Sequence, residues 1–211
     1  MKIHALALAA GLVAAGAAFG PARAAEDHSH HQHQAQAEAP KPGAVKVRYG
    51  DAQLSDQFGR QQRLKSDVIG DRIVVLDFVY TTCTTVCPVL TAALAQVQAE
   101  IGDGDDVRLV TITVDPARDT PARMKDYADK LGVKPGWVWL TGPTGRVNEV
   151  LKGFGAYSAS FEDHPALVLI GDARTGQWTR FFGFTDPKVL IAKVQQLRAA
   201  RTAPMPAGHK H

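Results

Sequence analysis

Two cysteines, Cys83 and Cys87, are the residues of this chain whose spacing points most directly to a chemistry. They are the only cysteines among 211 residues, and Thr84-Thr85-Val86 separates them. An apolar strand pattern precedes the pair and an amphipathic helix pattern follows it. At the N-terminus of a helix, unpaired N–H groups and the helix dipole favour the thiolate form of a cysteine. Thiolates bind soft metals and attack disulfides, so the pair predicts a metal site or a redox site.

A structural disulfide is the alternative interpretation of the same pair. A bridge that closes so short a loop stabilises a fold by roughly 2 kcal/mol in the chain-entropy model, about half of what a long loop gives. A domain in need of covalent support would gain more from cysteines that lie far apart in the sequence. The spacing therefore favours a functional pair over a structural one.

His164 is the candidate third donor, because it is the single histidine between residues 44 and 201 and precedes an apolar strand pattern. Taken alone, such a histidine is typical of a surface or hydrogen-bonding residue. In the sheet layout described below, however, the loop that carries it lies beside the cysteines, so we expect the imidazole to approach both sulfurs. Two thiolates and an imidazole suit copper, as Cu(I) or Cu(II). Zinc is less suited, because a structural zinc site would show a fourth protein ligand.

Asp115 and Asp119 are candidate partner contacts at the rim of this site. Local structure explains them as well, because Pro116 ends a strand pattern and Asp119 precedes a helix start.

A histidine-rich segment near the N-terminus is a candidate accessory metal site. Its histidines are His28, His30, His31 and His33. Imidazoles spaced this closely can gather Cu(II) or Zn(II) as a loose store. The alternative is a solubilising segment that binds metal only in the test tube.

The elements that must position these residues follow from the hydrophobic pattern. Near-continuous apolar runs predict buried strands over 73–80 and 107–114, and apolar residues at helical spacing over 90–101 predict a helix between them. Strand, helix and strand in this order form a βαβ unit with parallel strands.

The rest of the pattern completes the fold prediction. We expect helices over 121–131 and 147–154, a β-hairpin with strands at 167–170 and 177–182, and a last helix from residue 187. Thr120 and Asp186 are the predicted N-caps of the first and last of these helices. This order predicts an α/β protein with a thioredoxin-like fold, in which a central mixed sheet is flanked by helices and ends in a β-hairpin and a helix.

Both ends of the chain are predicted to lie outside this domain. Residues 1–24 combine Lys2, an apolar stretch and Ala22-Arg23-Ala24, which predicts a secretory signal peptide and export to the periplasm. An uncleaved leader that tethers the protein to the membrane is the alternative. Residues 25–43 are predicted to be a disordered His-rich tether, 44–201 a single domain, and 202–211 a flexible tail.

Charge and compartment narrow the set of partners. The formal net charge is +3, and it is +1 without Lys2 and Arg23 of the leader, so nucleic acid is not expected as a partner. An oxidising compartment would close a cysteine pair unless a metal or a reductant is matched to it. The pair therefore implies a thiol reductant as one partner.

Three blocks make the sequence similar to the SCO/SenC family of copper-delivery proteins, which take part in cytochrome c oxidase assembly. The blocks are Phe78-Val79-Tyr80-Thr81-Thr82-Cys83 with Cys87-Pro88, Thr113-Val114-Asp115-Pro116-Ala117-Arg118-Asp119-Thr120-Pro121, and Asp163-His164 before a strand. The resemblance implies a thioredoxin-like fold and copper bound by Cys83, Cys87 and His164. It also implies copper delivery to the copper-centre subunit of a respiratory oxidase, or to another copper-requiring exported protein.

Pro165 motivates a rival function. The family usually places Ser or Thr after its histidine, whereas His164-Pro165 resembles the cis-proline that thioredoxins set opposite their cysteines. Pro165 is therefore a further candidate rim contact. The rival is a thiol-disulfide oxidoreductase that reduces client cysteines without carrying copper, and a peroxidase is a third class, which rapid peroxide consumption would reveal.

Overall fold

A computed structural model describes residues 41–102 and 104–203, which form eight β-strands and four α-helices. The strands are Gly43–Val45 (β1), Gln53–Asp56 (β2), Gln61–Arg63 (β3), Ile73–Val79 (β4), Val107–Thr113 (β5), Val138–Thr141 (β6), Leu167–Asp172 (β7) and Gln177–Phe182 (β8). The helices are Val86–Ile101 (α1), Pro121–Lys130 (α2), Thr144–Phe154 (α3) and Pro187–Thr202 (α4). A π-helical segment spans Leu64–Ile69, and a short 3-10 helix spans Phe161–Asp163.

Strand β4 lies near the middle of one mixed sheet, whose order is β1-β8-β7-β4-β5-β6-β2-β3. β4, β5 and β6 are parallel, with α1 and α2 as their crossovers, and the other neighbours are antiparallel. Every residue of β4 is buried, as its near-continuous apolar run predicts for a strand covered on both faces. The predicted fold class, with its flanking helices and its C-terminal hairpin and helix, is confirmed.

Helices cover both faces of the sheet. Val75 and Val79 of β4 face a core that includes α1, α2 and α4. Leu76 and Phe78 face the other core, which includes α3 and the π-helical segment. Because β4 is held from both sides, the loop that follows it starts from a fixed point.

The two predicted N-caps are in place. Thr120 and Asp186 each accept a hydrogen bond from a backbone N–H of the following first turn, at 3.3 and 2.8 Å. Pro121 and Pro187 come next, where a missing N–H costs nothing.

The chain ends differ from the predicted boundaries by one residue each. Gly43 pairs with Arg180 of β8, so it belongs to the sheet and not to the tether predicted for 25–43. Helix α4 includes Thr202, where the tail was predicted to begin. The signal peptide predicted for 1–24, the tether up to residue 40 and the tail from 204 lie outside the described residues. Within the described residues, no helix is long and apolar enough to cross a membrane.

An ion pair closes the end of the sheet that lies opposite the cysteine loop. Arg201, in the last turn of α4, lies 2.7 Å from the carboxylate of Asp172 at the end of β7, and it also donates to the carbonyl of Asp71. Burial raises the pKa of Asp172, but the hydrogen bonds from Arg201 and from the N–H of Arg174 outweigh it, so this pKa lies below its ordinary value. The pair fixes the end of α4 to the sheet.

Gly171→Ala tests the packing of β7 against β8. A Cβ at residue 171 would lie 2.1 Å from the indole of Trp178, which is buried and packs edge-on against Phe154. We expect a loss of about 1–3 kcal/mol in the free energy of unfolding, measured by urea denaturation. The control is Gly145→Ala in α3, where a Cβ meets nothing within 4 Å and alanine favours the helix. Similar losses in both variants would contradict the expected clash.

Candidate metal centre

The sulfur of Cys83 takes the place of a helix cap. Thr85 is the N-cap residue of α1, but its side chain makes no capping hydrogen bond. Instead, the N–H of Cys87 in the first turn donates to Cys83 Sγ at 3.3 Å. Both cysteines are free thiols and buried, with 5% and 1% of their surface exposed. The predicted meeting of the pair at a helix N-terminus is confirmed.

The two thiols differ in acidity. Burial raises the pKa of Cys83, but hydrogen bonds from the thiol and N–H of Cys87, the N–H of Thr85 and the hydroxyl of Tyr80 outweigh it, so the pKa lies below its ordinary value. Burial raises the pKa of Cys87, and its hydrogen bond to Cys83 raises it further. The Cys83 thiol therefore loses its proton more readily than the Cys87 thiol.

Asp119 holds the loop that carries Cys83. The hydroxyls of Thr81 and Thr113 donate to its carboxylate at 2.5 and 2.6 Å, and the N–H of Thr81 donates to it at 3.2 Å. The hydroxyl of Tyr127 in α2 donates to the carbonyl of Cys83 at 3.1 Å. The loop between β4 and α1 is thus tied to the ends of β5 and α2.

Asp115 and Asp119 have structural roles in this network. Asp119 is only 1% exposed, and Asp115 is buried with its carboxylate 3.0 Å from Arg118. The carboxylate of Asp119 is too enclosed to contact a partner protein. Of the two roles considered for Asp119, the structure therefore favours the local structural one. Pro165 is exposed and stays a candidate rim contact. All peptide bonds of the described residues are trans, so Pro165 lacks the cis geometry that motivated the comparison with thioredoxins.

The ring of His164 lies beside Tyr80. The two ring centroids are 5.6 Å apart, with the rings nearly perpendicular. His164 Nδ1 lies 2.8 Å from the carbonyl oxygen of Phe161. Because a carbonyl only accepts hydrogen bonds, Nδ1 carries the proton, and Nε2 is the nitrogen that can bind a metal.

The three predicted ligands do not form one cluster. Among the described residues, no group of three His, Cys, Asp or Glu side chains lies close enough together to hold a metal ion. The structure brings Cys83 and Cys87 together and places His164 against Tyr80, whose hydroxyl also interacts with Cys83. Burial and then this hydrogen bond raise the pKa of Tyr80 to about 12, so its hydroxyl remains a donor. Contact of His164 with both sulfurs stays a prediction for a metal-loaded protein.

The donor atoms still fit a soft metal. Two thiols at a thiolate-favouring position and an imidazole with its Nδ1 already engaged are the donor types that Cu(I) prefers. The hydrogen bond from Nδ1 to a carbonyl is the outer support that metal-binding histidines commonly have. His28, His30, His31 and His33 lie outside the described residues, so their accessory role stays a prediction.

Asp77 is a residue of this site that the sequence analysis missed. It lies in the middle of β4, is fully buried, and accepts a hydrogen bond from Thr111, while its Oδ2 has no partner among the described residues. Burial raises its pKa to about 7, and its negative charge would disfavour a thiolate at Cys87. The available signal was a single carboxylate inside an otherwise apolar strand.

The fold and this site together define a thioredoxin-like protein with a buried thiol pair, built to handle a soft metal or a disulfide. The sequence profile of the SCO1/SenC family matches residues 44–199. The chain therefore belongs to the SCO1/SenC family.

Individual relatives agree with this assignment. The SCO1 protein homolog of Bacillus subtilis is 32% identical over 91 residues, which are 42% of this chain and 46% of that protein. Protein SenC of Rhodobacter capsulatus is 30% identical over 156 residues, covering 66% of this chain and 68% of that protein. The structure of ScoI from Bradyrhizobium japonicum with copper bound is 30% identical, with a TM-score of 0.59 over 70% of this chain and 98% of that one.

Single-cysteine variants test the difference in acidity. Cys87→Ser keeps the Cys83 thiol with a hydroxyl beside it, and Cys83→Ser keeps the more buried Cys87 thiol. We expect thiolate absorbance near 240 nm to appear at a lower pH in Cys87→Ser than in Cys83→Ser, because hydrogen bonds favour the Cys83 thiolate. If the two titrations coincide or occur in the reverse order, the helix N-terminus does not favour the Cys83 thiolate over the Cys87 thiolate.

Asp77→Asn tests the buried carboxyl through stability. The folded protein keeps the Asp77 proton up to a pH of about 7, whereas the unfolded chain loses it near 4. Wild-type stability is therefore lost as the pH rises from about 4 to 7, and the variant lacks this loss. Over that pH window, we expect the free energy of unfolding of the variant to rise by a few kcal/mol relative to that of the wild type. Urea denaturation at each pH measures it. If the stability difference does not change with pH, the pKa of Asp77 in the folded protein does not differ from its unfolded value in the way expected here.

Proposed function

We propose that this protein is an exported copper-binding metallochaperone that delivers copper to the copper centre of a respiratory oxidase. The observation that carries the proposal is the pair Cys83 and Cys87 at the start of α1, with one sulfur already accepting a helix N–H. Thiolates at such a position bind Cu(I) strongly, since copper and sulfur are both soft. The ScoI relative, which has copper bound, supports copper as the cargo.

Cys83, Cys87 and the Nε2 of His164 are the proposed ligands. Cys83 supplies the first thiolate, because its pKa is lowered. Cys87 loses its proton on binding, so copper uptake is expected to release a proton near neutral pH. His164 is the exchangeable donor, because it is borne by the loop before β7 and not by the strand–helix junction that holds the sulfurs.

The thiol pair links copper handling to redox state. A Cys83–Cys87 disulfide has no thiolate to offer, so it must take up two electrons and two protons before copper can bind. A thiol reductant is the proposed source of those electrons. It attacks one sulfur of the disulfide, and the reduced pair is restored as the reductant becomes oxidised.

Export is the remaining part of the proposal. It is supported by the leader pattern of residues 1–24, which predicts export to the periplasm, with the protein either released or held by an uncleaved leader. Delivery to an oxidase copper centre is supported by the SCO/SenC resemblance of the three sequence blocks. Another copper-requiring exported protein would need the same donor chemistry.

A Cu(I) titration tests the copper function. The reduced full-length chain is titrated in competition with a Cu(I) chelator, together with Cys83→Ser, Cys87→Ser and His164→Ala. We expect each serine variant to lose more affinity than the ~10–100-fold typical of outer-shell changes, because a hydroxyl is a poor ligand for Cu(I). The loss in His164→Ala should be smaller. The double variant Cys83→Ser/Cys87→Ser reports copper held by the histidine-rich segments, and affinities equal to wild type in both single serine variants would end the proposal.

A thiol-disulfide oxidoreductase is the second candidate, and the unequal acidity of the two cysteines favours it. The Cys83 thiolate would attack a client disulfide and release one client thiolate. The Cys87 sulfur would then attack the mixed disulfide, which releases the second client thiolate and leaves Cys83 and Cys87 oxidised. Disulfide reduction that persists in His164→Ala after strict copper removal would favour this function.

A further inference from the structure

We infer that Tyr80 is a positioning residue of the copper site, which holds the His164 imidazole at the start of the cysteine loop as the third donor for incoming copper. The inference rests on the proposed function and deepens it. Tyr80 is the first residue after β4 and packs against the hydrophobic cores on both faces of the sheet. It is therefore placed by the same strand that places the cysteine loop.

The contacts of Tyr80 reach both halves of the site. Its ring meets the imidazole of His164 edge-on with centroids 5.6 Å apart. Its carbonyl accepts the N–H of Cys83 at 3.0 Å. One residue thus contacts the cysteine loop through its backbone and the third donor through its ring.

Phe161 contacts both Tyr80 and His164 and so supports the contact between them. Phe161 packs edge-on against Tyr80 with centroids 5.0 Å apart, and its carbonyl oxygen lies 2.8 Å from His164 Nδ1. The guanidinium of Arg118 lies 5.2 Å from the centre of the Phe161 ring and pairs with Asp115. The imidazole is therefore held on one side by the Tyr80 ring and on the other by a backbone carbonyl.

The contact between Tyr80 and His164 affects copper affinity through the fraction of molecules in which the imidazole is in place. The segment from Gly155 to Pro165 has one short 3-10 helix and no strand pairing, so individual contacts such as those of Phe161 and His164 fix its position. If only a fraction of molecules hold His164 beside the sulfurs, the apparent copper affinity falls by that fraction. By packing against the ring, Tyr80 raises this fraction before copper arrives. Its hydroxyl serves the Cys83 thiolate instead, so the ring and the hydroxyl have separable roles.

Tyr80→Leu and Tyr80→Phe separate the ring from the hydroxyl. Leucine removes both, whereas phenylalanine keeps the ring. In the reduced full-length chain, we expect Tyr80→Leu to weaken Cu(I) binding about 10-fold or more, as loss of outer-shell support does, and Tyr80→Phe to retain the His164-dependent part. Affinity is measured by chelator competition at one pH for all variants, and the thiolate absorbance of each variant is recorded at that pH, so that a changed thiolate fraction is accounted for.

A double-variant cycle shows whether Tyr80 acts through His164. If it does, Tyr80→Leu weakens binding no more than Tyr80→Phe does in the His164→Ala background, because both variants lack the hydroxyl and the ring acts only through the imidazole. A difference between the two variants that is as large without His164 as with it would overturn the inference, because the ring would then act on copper independently of the imidazole. A loss in Tyr80→Phe equal to that in Tyr80→Leu would also overturn it, since the hydroxyl and not the ring would be responsible.

The imidazole itself provides a readout that needs no copper. The face of the tyrosine ring shifts the proton NMR signals of a nearby imidazole, and His164→Ala assigns those signals. We expect the shift in the wild type and in Tyr80→Phe, and its loss in Tyr80→Leu. Unchanged His164 signals in Tyr80→Leu would overturn the inference.

Phe161→Leu keeps the test decisive if Tyr80→Leu fails to fold. It leaves Tyr80 in place and removes the neighbouring ring, so a smaller change in the same His164 signals is expected, and the absence of any change would count against the inference.

Failure of the proposed function would give a different result from failure of this inference. In that case wild-type affinity would equal that of Cys83→Ser/Cys87→Ser, whereas failure of this inference alone leaves wild type and His164→Ala distinct.

Discussion

The first turn of α1 has N–H groups that need an acceptor, and no cap side chain supplies one. Thr85 occupies the cap position without a capping bond, and the sulfur of Cys83 accepts the N–H of Cys87. The helix therefore gains when Cys83 is a thiolate, because a charged acceptor satisfies the helix terminus better than a thiol does. The N–H of Cys87 thus serves both the helix terminus and the Cys83 sulfur, and it adds to the difference in acidity between the two cysteines, in which burial is the largest cause of the raised pKa of Cys87.

The surrounding network keeps that sulfur in place from three directions. Asp119 fixes the loop through the backbone and side chain of Thr81, Tyr127 holds the carbonyl of Cys83, and Tyr80 joins the loop to the segment that carries His164. The sulfurs follow a strand that is buried along its whole length, while the imidazole belongs to a segment without strand pairing. The thiol pair is thus placed by the sheet, and the imidazole by packing against Tyr80 and by its hydrogen bond to the carbonyl of Phe161.

Sequence patterns predicted the parts of this protein that depend on local signals. The strands around 73–80 and 107–114 and the capped starts of α2 and α4 are dictated by apolar runs and by N-cap residues followed by proline. Strands β1, β2 and β3, at the two ends of the sheet, were not predicted, because backbone pairing of β1 with β8, of β2 with β6 and of β3 with β2 defines them more than their side chains do. Burial of Asp77 and the packing of Tyr80 against His164 depend on which residues meet across the fold, which spacing alone does not reveal.

The ion pair between Arg201 and Asp172 has a consequence for where this domain ends. β7 begins beside the His164 segment and finishes at Asp172, so the last turn of α4 anchors the far end of the strand that follows that segment. A truncation before Arg201 would strand a buried carboxylate without its counter-charge, although the last buried apolar residue of α4, Leu197, would be retained. Shortened versions of the protein should therefore keep the last turn of α4, including Arg201.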